Sequence, residues 1–229
     1  MLLVATLGLL MLGCSDDDEA IALGSNGGAA NNSGSSIILT TAGLATTAAR
    51  FLDVSATGQS LPLGDDDSAA VPLPFAVVVN GQTFSSVRVS SNGFLTFGTQ
   101  NDTFANTGLP SPNAPDPLLA VYWDDLSPPA VPWVFTQVQG NAPNRQFIVQ
   151  WKNAQSPFLS GNDGITFEAI VSETGRVELQ YQDISFGDAA FNAGASATVG
   201  FQAGNVTSLW CFNGAPNSLP SNSGLLVHP

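Results

Sequence analysis

Positive charge is nearly absent from this 229-residue chain. Its basic residues are Arg50, Arg88, Arg145, Lys152 and Arg176, five against 18 Asp and Glu, for a formal charge of −13. Nothing here offers the basic stripe that a phosphate backbone requires, so nucleic acid is excluded as a partner. Charged residues of both signs make up only 10% of the sequence, where a soluble domain carries about 25%. The Glu, Lys and Arg that lace exposed helices through i,i+4 pairs are therefore missing. Histidine is nearly absent too. His228 stands alone, one residue from the end of the sequence, where chains commonly fray. An H-E-x-x-H zinc site is impossible, and a Ser-His-Asp or Cys-His set would have to recruit His228. No G-x-S-x-G elbow occurs either. What remains is apolar and turn-rich: 44% hydrophobic residues, 23 Gly and 15 Pro. That is enough apolar matter for a sizeable core and too much for wholesale disorder.

The amino-terminal segment reads as an address. Residues 1–13 are uniformly apolar or small, too short to span a bilayer at about 20 residues but suited to a signal-peptide core. Leu12-Gly13-Cys14 at its end resembles a bacterial lipobox, with Met11 where that family prefers Leu and no Lys or Arg ahead of the apolar run. The resemblance implies lipid attachment at Cys14. The acidic run Ser15 to Glu19 and the Gly/Asn/Ser stretch Gly24 to Ser36 then read as a tether, placed at 14–49. Such a spacer lets a lipid-anchored domain stand clear of the headgroups, and several acyl chains hold a protein where one does so only marginally. The implied address is the bacterial cell envelope, at the outer membrane or cell surface. With Cys14 acylated, Cys211 has no partner for a disulfide. Cys211 lies in the apolar run Leu209 to Phe212, which reads as a buried, inert thiol.

From residue 50 to 229 the sequence reads as one domain of strands and turns. Val77 to Val79 leads into Asn80-Gly81, and Val87 to Ser90 leads into Asn92-Gly93 and then Phe94 to Phe97. Both are hairpin signals. Leu118 to Trp123, Trp133 to Val138, Arg145 to Trp151, Ile165 to Val171, Arg176 to Tyr181, Ala197 to Phe201, Leu209 to Phe212 and Leu225 to Val227 continue the series. Leu44 to Arg50 and Asp188 to Ala195 are the places for a turn or two of helix, and Leu109 to Pro117 is a loop. About ten to twelve short strands with no long crossover helix predict an all-β, antiparallel β-sandwich, jelly-roll-like, with little helix.

Several phrases recur in a familiar order: Leu63-Gly64-Asp65-Asp66-Asp67-Ser68, Ser90-Ser91-Asn92-Gly93-Phe94, Tyr122-Trp123-Asp124-Asp125-Leu126, Pro143-Asn144-Arg145, Thr166-Phe167-Glu168 and Ala197-Thr198-Val199-Gly200. Together, across Phe51 to Val227, they resemble a nidogen-like β module of exported and surface proteins of bacteria. That resemblance implies a non-catalytic accessory domain, structural or adhesive, and it transfers no catalytic residue.

Three site readings stand beside it. Asp65, Asp66 and Asp67 are carboxylates of the type calcium takes, with Asp124-Asp125 a second pair. The alternatives are turn-forming side chains or a solvated run, since neighbouring residues of an extended chain point to opposite faces. Trp133, among Pro128, Pro129 and Pro132, is the tryptophan expected to show an exposed ring for a carbohydrate, while Trp123 and Trp151 read as core. Glu168 and Glu178 are the carboxylate pair a glycosidase would need. Strand alternation puts both on one polar face, the solvent face of an ordinary sandwich. The expected partners are the membrane, through the lipid, and a surface protein or glycan. No cofactor is expected beyond a structural calcium at the acidic residues.

Overall fold

The computed structural model describes residues 37–39, 43–98, 101–129, 132–161 and 163–228. Cys14 and the expected signal and acidic run lie outside them. In chain order the strands are β1 (Ile37–Leu39), β2 (Gly43–Thr47), β3 (Gln59–Leu61), β4 (Ser68–Val79), β5 (Gln82–Ser90), β6 (Phe94–Thr96), β7 (Leu118–Trp123) and β8 (Val134–Gln139). Then follow β9 (Gln146–Ala154), β10 (Ile165–Ser172), β11 (Val177–Asp183), β12 (Thr198–Ala203), β13 (Val206–Phe212), β14 (Ala215–Pro216) and β15 (Ser223–His228). A 3-10 turn at Asn192–Gly194 is the helical element among the described residues.

Two sheets result. One runs β1-β4-β5-β6-β7-β12-β13-β14 and the other β2-β15-β11-β10-β9-β8-β3. Pairing is antiparallel except where β1 meets β4. The all-β sandwich read from the sequence is therefore the fold, with more strands than expected because β1, β3 and β14 have only two or three residues each. Leu44 to Arg50 is not helical. Gly43–Thr47 pairs with β15 as an edge strand, because the Thr-rich segment gains ladder hydrogen bonds there that a lone helical turn would not supply. The folded domain thus begins ahead of residue 50.

The inner faces supply the core. Phe167, Ala169 and Val171 of β10 and Leu179 and Tyr181 of β11 meet Val87, Val89, Val121 and Phe201 of the facing sheet. Each large side chain so buried contributes about 1.5–3 kcal/mol. Trp151 stacks on Phe167 with centroids 5.1 Å apart and donates its Nε1–H across the sandwich to the Ser90 carbonyl at 2.9 Å. Tyr181 Oη likewise donates to the Val121 carbonyl at 2.8 Å. Large rings therefore pin the two sheets in register with buried but satisfied polar tips.

The outer face of the second sheet is not open to solvent. β2 and β3 are its opposite edges, and the chain between them crosses the whole face as a strap. Alternate backbone N–H groups of the strap are each caught by a side chain from a successive strand. Arg50 N–H donates to Gln180 Oε1 of β11 (2.7 Å), Leu52 N–H to Glu168 Oε1 of β10 (2.7 Å) and Val54 N–H to Gln150 Oε1 of β9 (2.8 Å). The acceptors form one cross-strand row, since Glu168 pairs in register with both Gln150 and Gln180. Beneath the strap, Val54 and Leu52 pack with Phe135, Ile148 and Ile170. All eight residues of β10 are consequently buried.

Candidate functional site

Three of the phrases that carried the family resemblance are far apart in sequence and meet at one place. Asn92, fully buried between β5 and β6, is the hub. Its Oδ1 accepts from Leu126 N–H at 3.0 Å, and its Nδ2 donates to Asp66 Oδ1 at 2.9 Å and to the Asp102 carbonyl at 3.1 Å. Its own carbonyl accepts from Asp124 N–H at 3.3 Å, while Ser91 and Asp67 exchange further bonds. The Asp65–Ser68 loop, the Asn92-Gly93 turn and the Trp123–Leu126 segment are thereby knotted together at the end of the sandwich.

This knot regroups the expected metal ligands. Oxygens of Asp65, Asp66 and Asp125 lie within 4.8 Å of one another. Asp67 does not join them: its carboxylate turns back to accept from Gly64 N–H at 3.2 Å and Ser68 N–H at 2.7 Å. Of the expected set Asp65, Asp66 and Asp67, the structure gathers Asp65 and Asp66 with Asp125, and the left-handed turn conformation of Asp66 (φ 47°) separates it from Asp67. Partial burial first, and the Asp66 charge next, push the Asp65 carboxyl up; burial followed by Asp66 and Asp65 does the same to Asp125. Three such oxygens supply at most half of the six to eight that calcium takes. In EDTA, Asp125→Asn is expected to raise the thermal unfolding midpoint by roughly 1–2 °C, because it relieves like-charge repulsion. A loss of stability that appears only in millimolar calcium would mark the cluster as an ion site instead.

Beside the knot lies a groove with a volume of about 470 Å³, walled by Phe104, Phe158 and Phe191 and floored by Asp124 and Ser196. Asp124 is only 8% exposed, and burial lifts its pKa to about 6 against the opposing hydrogen bonds from Ser196 and Asp125. Sequence reasoning passed over Phe104 and Phe158. The available signal was a lone aromatic ring in a turn-rich stretch, outside any alternating strand pattern.

The other expected residues fall elsewhere. Trp133 is not an exposed platform. It is 2% exposed, and its Nε1–H donates to the Leu63 carbonyl at 3.1 Å. The surrounding prolines steer the chain into the core, where the indole's apolar area outweighs the loop's polarity. Glu168 and Glu178 do share a face, as alternation requires, but that face is under the strap and both are fully buried. Glu178 Oε1 accepts from Arg176 Nε at 2.6 Å and lies 3.5 Å from Arg50 Nη1, while its Oε2 accepts from Gln180 Nε2 at 3.0 Å. Glu168 Oε2 is the one buried side-chain oxygen without a partner among the described residues. Its acid is pushed up to about 8, chiefly by burial and further by the Asp53 and Glu178 charges. Both side chains lie under the strap with no exposed surface, so neither stands at the surface where a glycosidic oxygen could meet it. Cys211 is buried, and burial lifts its thiol to about 11, the state of an inert side chain. His228 closes β15, its backbone paired with Gly43.

A sandwich of two sheets, knotted at one end by its loops, defines an all-β module. The model of a family described as NIDO related matches residues 43–224, and the chain belongs to this nidogen-related family. No curated protein and no solved structure matches the chain.

Proposed function

We propose that this protein is a non-catalytic module of the bacterial cell surface, structural or adhesive in role and held to the envelope by lipid on Cys14. Membership of the nidogen-related family supports a non-enzymatic role. The observation that carries the reading is the strap: it buries the only carboxylate pair that sequence analysis had offered for acid–base work, Glu168 and Glu178. Anchoring draws its support from Leu12-Gly13-Cys14 and the tether-like composition that follows. A carbohydrate-binding reading loses the ring that suggested it, since Trp133 belongs to the core. Growth with an alkyne analogue of palmitate tests the anchor. The wild type is expected to take up the label and to sediment with membranes, and Cys14→Ala to lose both; labelling that survives Cys14→Ala overturns the anchor.

A further inference from the structure

The groove beside the motif knot combines two features that soluble proteins seldom leave together. Of the three large apolar side chains exposed among the described residues, two are on it: Phe104 at 50% and Phe158 at 67%. Phe158 also stacks on Phe191, with centroids 6.1 Å apart and planes 20° apart, so the two rings form one aromatic shelf. The opposite wall is held as well, because Asn106 Nδ2 donates to the Ser196 carbonyl at 2.7 Å. Between them lies the buried Asp124 carboxylate, accepting from Ser196 Oγ and Asp125 N–H. No lysine or arginine lines the groove. The described cations are engaged elsewhere: Arg50 and Arg176 with Glu178, Arg145 with Glu173, Lys152 with Asp53, and Arg88 with Ser68. A buried carboxylate without a cation is an unfavourable arrangement that a positive partner relieves. Asp125 on the rim, with Asp65 and Asp66 behind it, extends the same negative field.

We propose that this groove is the docking site for a protein segment presenting an arginine or lysine beside an aromatic or aliphatic side chain. The cation pairs with Asp124 and Asp125, and the apolar neighbour lies on Phe158 and Phe104. The ring faces attract the cation a second time through their quadrupoles. Anionic ligands are repelled by the same carboxylates. A neutral sugar would stack on the rings and bond the amides but leave the charge unpaired. The site gives the adhesive role proposed above a contact surface and a partner chemistry, and it rests on that reading only in treating the module as a binder.

The test is an NMR titration of the full chain carrying Cys14→Ala, in EDTA so that no calcium occupies Asp125. The probes are acetyl-Phe-Arg-Phe-amide, acetyl-Phe-Glu-Phe-amide and a neutral chito-oligosaccharide. The arginine peptide is expected to shift the amides of Phe104, Asp124, Asp125, Phe158 and Phe191, and to bind about tenfold more tightly than the glutamate peptide. Phe158→Ala, a surface change that leaves the core alone, is expected to weaken it several-fold, and Asp124→Asn to remove the preference for arginine. The proposal is overturned by equal binding of the two peptides, by a response to the saccharide alone, or by unshifted groove amides at about 5 mM arginine peptide, beyond the millimolar range of weak binding. Such a failure leaves lipid labelling at Cys14 unaffected, and a failure of labelling leaves the titration unaffected.

Discussion

Glu168→Gln is expected to stabilise the protein at alkaline pH and to leave it almost unchanged in mild acid. The carboxyl sits fully buried on β10, beneath the strap, with Oε1 accepting from Leu52 N–H and Oε2 meeting no partner. Around it are Asp53 and Arg50 of the strap and Glu178 of β11; desolvation dominates, the two carboxylates add to it, and Arg50 opposes. The folded-state pKa of about 8 lies above the ordinary 4.5, so the native state holds a proton that the unfolded chain releases. The contribution of this acid is accordingly intact below pH 4.5 and is lost as pH rises through 8. At 1.36 kcal/mol per pH unit, the interval from 4.5 to about 8 sets a ceiling of roughly 5 kcal/mol. Water entry and shifts of Arg50 bring the expected loss to about 2–4 kcal/mol. Glutamine keeps the Oε1 acceptor and never ionises. Denaturant unfolding at pH 5 is therefore expected to find wild type and variant within about 1 kcal/mol, and at pH 9 the variant more stable by about 2–4 kcal/mol. Asp124, which also titrates in this window, cancels because it is present in both proteins. Equal destabilisation at both pH values would show that the acid's neutral form is not what the strap requires.

That acid also marks where sequence reading succeeds and where it stops. Period-two alternation located β9, β10 and β11 and placed Glu168 and Glu178 on one face, as the register confirms. Alternation reports which residues share a face, not what covers it. The cover is Arg50 to Val54, a segment with no periodicity of its own, whose position depends on three side chains some 96 to 130 residues away. The same limit applies to Trp133: proline neighbours signal a loop correctly, yet say nothing about which way the indole turns. Asp65 and Asp66 were legible as an acidic turn, but their companion Asp125 is brought in by the Asn92 hub. Phe104 and Phe158 carried a weak signal for the opposite reason, since an aromatic ring in a loop usually finds a core. The Asp65–Ser68, Ser91–Gly93 and Trp123–Leu126 motifs fared best because each supplies one segment of the knot, and their shared geometry needs all three.

Gly93→Ala is expected to be the most damaging single-atom change in the knot, costing about 4 kcal/mol or more or preventing folding. Two effects add. Gly93 has φ +75°, a left-handed conformation that costs alanine about 1 kcal/mol. The larger effect is collision, because a Cβ here would be driven into the backbone carbonyl of Tyr122 and would press on Leu126 Cδ1. That carbonyl cannot yield. Tyr122 lies in β7 between β6 and β12, its N–H donates to the Gly93 carbonyl at 2.9 Å, and its hydroxyl donates to the Phe191 carbonyl at 3.1 Å. Moving it would also part Asn92 from Leu126 and open the knot. Gly81 provides the internal control. It follows Asn80 in the other Asn-Gly hairpin, has φ +77°, and an added Cβ there meets nothing within 4 Å. Gly81→Ala is therefore expected to cost only the backbone penalty of about 1 kcal/mol. Urea unfolding of the two variants separates conformational strain from steric conflict. Equal losses would mean that Asn92-Gly93 is merely a tight turn, and that the close approach of β7 plays no part in making glycine necessary there.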